Sequence, residues 1–242
     1  MNRPGLPLEG YTIGVLHLDT RHPLLPGNPQ HVQTFNFPVA YEAVPQQDLA
    51  ALMRGDPALE PLIVAAGERL AARGVRSIVG ACGSFAYYQR ALASALTIPV
   101  FSSVLVQIPF LLNALGERKL GIIAAKASSV NERIFSECGV ADSARLAITE
   151  MQGQPEFDRM LSGSSAVDEA ALREELIGVV GRLIATNPDI SAIMLQCSEL
   201  PPFAADLQYA FDRPVYDAVT LVNWAYLSGQ AESFSGLRRR PQ

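Results

Sequence analysis

The chain has 242 residues, 49% of them hydrophobic, enough to bury a substantial core in one large domain or two lobes. Nineteen basic residues against 24 acidic ones leave a net charge of −5, with one dense basic cluster at Arg238, Arg239 and Arg240. This balance excludes nucleic acid as the main partner, because no stripe of positive charge is present to neutralise phosphates. Membrane insertion is equally unexpected, since no apolar run reaches the ~20 residues of a spanning helix.

In chain order, short apolar runs ending in small or polar residues alternate with stretches of helical spacing. The strands predicted are 11–19, 77–81, 99–103, 119–125, 144–149, 192–196 and 214–218. The helices predicted are 47–53, 58–73, 85–96, 104–116, 129–138, 168–187, 202–211 and 218–228. Most strand segments are apolar on both faces, as in a parallel sheet covered by helices. The N-terminal "MNRPGLPLEGYTIGVLHLD" has proline and glutamate where a secretory signal would be apolar, so a cytoplasmic protein is expected.

An internal repeat organises these elements. "GACGSFAYYQRALASALTIPVF" and "LQCSELPPFAADLQYAFDRPVY" align without gaps, 115 residues apart. Ile78 and Ile193 precede the two cysteines by four residues, and the triplets Pro99-Val100-Phe101 and Pro214-Val215-Tyr216 begin 17 residues after them. Leu92, Ala95 and Val104 match Leu207, Ala210 and Val219. The fold expected is α/β, with two pseudo-symmetric lobes, each a mostly parallel sheet flanked by helices. Lobe 1 comprises residues 1–102 with 215–242, because the second Pro-Val strand should rejoin it, and lobe 2 comprises 103–214. Ligands of open α/β sheets bind at the carboxyl ends of the strands, which places both cysteines in the cleft between the lobes.

Cys82 and Cys197 each sit where a strand passes into a helix, and backbone N–H groups there favour the thiolate and should lower the thiol pKa. Two such thiols across one cleft suit proton removal on one face of a carbon beside a carboxylate and proton return on the other. Gly83 and Ser84 after the first cysteine, Ser198 and Glu199 after the second, and Ser128 and Ser129 at a third strand end offer N–H groups and hydroxyls to an anion. Glu199 suits either substrate binding or a helix N-terminus. His17 and Asp19 alternate on the first strand and share a face near its end. Of Tyr87, Tyr88 and Gln89, one is expected to reach ligand. The loop from Thr20 to Gln33 reads either as a lid or as a surface connection.

The remaining reactive residues read as structural. Cys138 has no counterpart in the other copy, and Trp224 belongs to the core or a subunit interface. Three cysteines far apart in sequence form no disulfide framework, and with all three histidines in the first 31 residues no local metal site is expected. Lys126 lies at a strand end without the glycine run that would cradle pyridoxal phosphate.

The cysteine pair in "ACGSF" and "QCSEL", with its spacing and duplicated lobes, resembles the aspartate/glutamate racemase superfamily, which includes hydantoin racemases, maleate isomerases and arylmalonate decarboxylases. The resemblance covers most of the chain, and Cys197-Ser198-Glu199 is similar to that family's Cys-Thr-Glu. It implies a cofactor-independent enzyme with Cys82 and Cys197 as the acid/base pair, acting on a small carboxylate and assembled as a homo-oligomer, a dimer or larger. Cys82-Gly83-Ser84 departs from the Cys-Asn-Thr of amino-acid racemases. "LHLDTRHPLLPGN" and "CGSFAYYQ" resemble the branch containing algal-type dimethylsulfoniopropionate lyases. The first expectation is a racemase or isomerase working at the α carbon of a small acid. The second is a β-eliminating lyase with one cysteine as base, in which Tyr87, Tyr88 or Trp224 supplies an aromatic face to a sulfonium. The third is a non-catalytic protein that binds an organic acid.

Overall fold

The computed structural model describes residues 10–19, 22–45, 49–164 and 166–230. Each copy of the repeat forms one four-stranded parallel sheet. In the first, β1 (Ile13–Leu18) lies between β2 (Val39–Val44) and β3 (Ser77–Gly80), with β4 (Val100–Phe101) outside β3. In the second, β5 (Lys119–Ala124) lies between β6 (Leu146–Glu150) and β7 (Ile190–Leu195), with β8 (Val215–Tyr216) outside β7. The helices are α1 (Leu49–Met53), α2 (Glu60–Ala72), α3 (Gln89–Ala95), α4 (Ile108–Leu115), α5 (Glu132–Glu137), α6 (Pro155–Leu161), α7 (Glu169–Thr186), α8 (Ala204–Phe211) and α9 (Ala218–Gly229).

The central strands are apolar on both sides because helices cover both faces of each sheet. On the first sheet, Leu16 and Ile78 share a core with Ile63, Ala66 and Leu70 of α2, while Ile13, Val15 and Val79 pack with Leu221, Val222 and Ala225 of α9. On the second, Ile123 joins Leu172, Leu176 and Val180 of α7, while Leu120 and Ile122 join Ile108, Leu111 and Leu112 of α4. Each half therefore lends its last helix to the other half's sheet.

The second Pro-Val strand does not rejoin the first sheet. Val215 pairs with Ile193 and Tyr216 with Met194, so β8 stays in the second sheet and the chain crosses only at Asp217. The crossing is marked by a reciprocal cap, in which Thr220 N donates to Asp217 Oδ1 at 2.7 Å and Asp217 N donates to Thr220 Oγ1 at 2.8 Å.

The helices predicted from 58, 85, 104, 129 and 202 begin later as α-helix, at Glu60, Gln89, Ile108, Glu132 and Ala204. Gly83–Tyr88 and Val104–Gln107 form 3-10 turns ahead of α3 and α4. The predicted start of the first helix at residue 47 and the basic triplet 238–240 lie outside the described residues. Strand β2 and helix α6 were not predicted.

Gly80 closes β3 two residues before Cys82, and a Cβ there would lie 1.9 Å from the carbonyl oxygen of Ser102. Both partners are backbone or fully buried, so little can give way. Gly80→Ala is therefore expected to lower stability by about 1–3 kcal/mol or more, as an overpacked core does, read as a lower urea midpoint at unchanged slope. An unchanged midpoint would show that the strand end relaxes freely.

Candidate active site

The turns after β3 and β7 are built alike. Phe85 N donates to Cys82 O at 3.1 Å, and Leu200 N donates to Cys197 O at 3.2 Å, so each cysteine opens a tight turn at the carboxyl end of its strand. Cys82, Gly83, Ser84, Cys197, Ser198 and Glu199 line one cavity of ≈ 270 Å³ together with Asp19 from the end of β1 and Ser129 from the loop after β5.

Three predicted residues lie elsewhere. His17 points along its own strand, with Nδ1 2.9 Å from Leu18 O and its ring edge-on to Tyr41 at 6.0 Å. Leu18 and Asp19 reach the cavity instead, because the strand ends there and its alternation no longer holds. Ser128 and Tyr87 line a neighbouring pocket, where the Tyr87 hydroxyl accepts a 2.7 Å hydrogen bond from Asn131 Nδ2 and Arg133 lies 5.0 Å above the ring. Among the described residues, none of the three aromatic side chains expected to face a sulfonium lines this cavity. Tyr88 is buried with its hydroxyl on Asp56 O at 2.9 Å, and Trp224 lines a separate groove.

Residues that sequence reasoning missed complete the cavity. Gln196, immediately before Cys197, lies against Gly83 so closely that a Cβ on Gly83 would meet its amide nitrogen at 1.8 Å. His22 and Asn28 come from the loop after β1. Asn28 Nδ2 donates to Glu199 Oε2 at 2.8 Å, and His22 Nε2 lies 3.1 Å from Glu199 Oε1, too far off line for a straight hydrogen bond. The loop is knotted around Asn28: Thr34 Oγ1 donates to Asn28 O at 2.6 Å, and Gln30 N donates to Asn28 Oδ1 at 2.9 Å. At its turn, Gly27 adopts φ +101°, and a Cβ there would meet Pro202 Cα at 2.8 Å. The segment thus reaches from the first sheet onto the second and covers one side of the cavity.

The thiols are not activated in the way the strand-end argument anticipated. Burial pushes Cys82 up from 9.0 to about 11, against the opposing N–H groups of Ser84 and Phe85 and the Ser84 hydroxyl. Cys197 is pushed higher still, first by burial and then by the Glu199 carboxylate, with the Glu199 N–H opposing. Both keep some exposure to the cavity, yet desolvation outweighs the local donors. Glu199 also holds the His22 imidazole above its usual 6.5, against the burial that favours the neutral ring.

Three consequences can be measured. The folded thiols keep protons that the unfolded chain loses, so their contribution to stability is present below about pH 9.0 and is lost as pH rises toward about 11. The His22–Glu199 contribution is present below pH 6.5 and is lost as pH rises through the raised histidine value. Glu199→Gln removes a charge that raises both thiols, so iodoacetamide should alkylate this variant several-fold faster than the native protein at one mildly alkaline pH. An equal or slower rate would contradict the assigned electrostatics.

The sequence pattern of the Asp/Glu/Hydantoin racemase family matches residues 32–225. The chain is 32% identical over 216 residues to a protein of Durusdinium sp. clade D named dimethylsulfoniopropionate lyase, an alignment covering 86% of this chain and 71% of that one. It is 30% identical over 223 residues to dimethylsulfoniopropionate lyase 6 of Emiliania huxleyi, covering 88% of this chain but 58% of that protein's length. Among solved structures, allantoin racemase from Pseudomonas fluorescens superposes with a TM-score of 0.62 at 17% identity, covering 95% of this chain and 97% of the other.

Proposed function

Because the chain belongs to the Asp/Glu/hydantoin racemase family, we propose that its thiol pair removes the proton α to the carboxylate of a small acid carrying a β-sulfonium, of the dimethylsulfoniopropionate type, and that elimination follows. The family and the named relatives support an enzyme of isomerase or lyase type. The finer choice rests on the charge of the cavity. Asp19 and Glu199 line it with His22 as its one basic side chain, and among the described residues no lysine or arginine does, so the cavity favours a cation most once His22 is neutral. A cavity of ≈ 270 Å³ also suits a molecule of a few heavy atoms.

A substrate with a fixed positive charge answers the electrostatic problem posed by the thiols. Burial and Glu199 keep them protonated in the free protein. An onium group brought into the same low-dielectric space favours the thiolate and meets the two carboxylates. The thiolate then takes the α proton, the C–H electron pair forms the Cα=Cβ bond, and the Cβ–S pair leaves on sulfur. Dimethyl sulfide, acrylate and a neutral thiol result. The cation disappears in the same step, so the interaction that held the substrate is lost from the products.

Racemisation is the second reading, favoured by the matched placement of Cys82 and Cys197 on equivalent turns. Proton NMR in D₂O separates the two. Dimethylsulfoniopropionate should give vinyl signals and dimethyl sulfide, whereas loss of an α-proton signal from an amino acid without a new compound would establish racemisation instead. Cys82→Ser and Cys197→Ser should then differ, the variant lacking the base losing ~10²–10⁴-fold in turnover and the other losing less. Equal and complete loss in both, with α-proton exchange in the native protein, would overturn the elimination.

A further inference from the structure

Beside the thiol cavity, and sharing Met53 and Ser129 with it, lies a second recess of ≈ 390 Å³ whose polar wall is Arg54, Tyr87, Lys126, Ser128 and Asn131. Its charge is opposite to its neighbour's, with two cationic side chains and, among the described residues, no carboxylate. The Glu150 carboxylate accepts from Ala127 N at 2.7 Å and does not line it. Among the described residues neither Arg54 nor Lys126 has an ion-pair partner, whereas Arg69, Lys119, Arg145, Arg159 and Arg173 are all paired.

The same wall carries an unspent hydrogen-bond donor. Asn131 Oδ1 caps α5 by accepting from Arg133 N at 3.1 Å and Ile134 N at 3.3 Å, which fixes the orientation of its amide. Its Nδ2 must then face Tyr87, whose phenol oxygen accepts at 2.7 Å. The phenol proton is left without an acceptor among the described residues, and a side chain only 5% exposed cannot turn it to solvent. The ring is fixed as well, with Arg133 5.0 Å above it and Gly55 so close that a Cβ there would meet Tyr87 Cγ at 2.4 Å. An unspent buried donor is costly until a ligand accepts from it. In the second copy of the repeat the matched position is Pro202, which Gly27 covers, so the phenol belongs to the first copy alone.

We infer that this recess binds the oxyanion of a small acid, a carboxylate or a phosphate, at a site separate from the thiol cavity. Arg54 offers a planar fork to two oxygens, Lys126 a compact charge, and the Tyr87 and Ser128 hydroxyls donate to what remains. Ser128, marked by the sequence as an anion contact, thus finds its role here and not beside the cysteines. The volume exceeds what an inorganic ion fills, so the oxyanion is carried on a small organic molecule. The site stands whichever reaction the thiols perform.

Occupancy reaches the thiol cavity through the wall they share. Ser129 N and Oγ both donate to Lys126 O, at 3.1 and 2.6 Å, so the lysine that meets the anion and the serine that lines the thiol cavity belong to one tight turn. Arg54 follows α1 in the first half of the chain and Lys126 follows β5 in the second, so an anion held by both ties the two halves together.

Isothermal titration calorimetry of the full chain at low ionic strength tests the inference, with succinate and inorganic phosphate as probes. One saturable site with a Kd of about 1 mM or tighter is expected for at least one of them, and the tighter ion assigns the ligand as a carboxylic acid or a phosphate. The double variant Arg54→Gln/Lys126→Gln should weaken binding about tenfold or more, and Tyr87→Phe, which keeps the ring and removes the proton, several-fold. Arg118→Gln, an exposed cation outside the recess, and native protein alkylated at Cys82 and Cys197 should bind as the untreated native protein does. Arg54 and Lys126 are exposed, so far-UV circular dichroism of the double variant should be unchanged. No saturable binding of either ion, native affinity in the double variant or in Tyr87→Phe, or an equal loss in Arg118→Gln would each overturn the site. Loss of binding on alkylation would move the anion to the thiol cavity and overturn it too.

Discussion

The contact between Gln196 and Gly83 governs how the two halves meet. Gly83 follows Cys82 and Gln196 precedes Cys197, and the Gln196 amide fills the space that any side chain on residue 83 would need. Duplication alone would leave each thiol at the end of its own sheet. The missing side chain lets the two turns approach until both thiols face one small cavity, near enough that the charge of one bears on the other. The repeat is not symmetric here, since Ser198 stands where the first copy has Gly83 and Ala81 where the second has Gln196. Close approach thus depends on a small residue in one copy and a long one in the other.

That approach has an electrostatic cost. Both thiols are largely buried between the turns, and desolvation becomes the largest influence on each. The local N–H groups lower each pKa as expected of a strand-to-helix turn, but burial acts on the whole charge while each donor offsets only part of it. Both thiols are accordingly held in the protonated form beside Glu199. Positive charge supplied by a ligand shifts this balance more effectively than any further backbone donor, because it acts at short range in a medium of low dielectric.

Much of this was legible in the sequence, and the reason is the repeat. Ile78/Ile193, the two cysteines and the Pro-Val triplets gave the paired strands β3/β7 and β4/β8 and the turns between them, since matched recurrence singled out the two cysteines that line one cavity. Strand β2 was missed because "VAYEAV" is an edge strand, half-exposed and interrupted by Glu42, without the continuous apolar run of a central strand. Helix α6 has proline at its first position, a usable start signal, but it spans only seven residues and its buried Glu156 looks like a surface charge until Arg159 and the Asp168 N–H are seen around it. The roles of His22 and Asn28 had no local signal at all. Asn28 meets Glu199 across 171 residues of sequence, and no spacing rule reaches that far. The thiol pKa was misjudged for the same reason: donors can be counted along the chain, whereas burial belongs to the assembled fold.

Glu199 joins these threads, because its single charge acts in two directions. It anchors the loop from the first lobe through Asn28 and His22, and it raises the pKa of both thiols. When His22 is protonated, part of the carboxylate's field is answered by the imidazolium, and the thiols feel less of it. As pH rises through the histidine value that answer is lost, and Glu199 opposes thiolate formation more strongly just where solution pH begins to favour it. The loop is then held by the Asn28 hydrogen bond without the ion pair. A cationic group entering beside Glu199 can take the place the imidazolium gave up, so covering the cavity and ionising its thiols are coupled through one carboxylate.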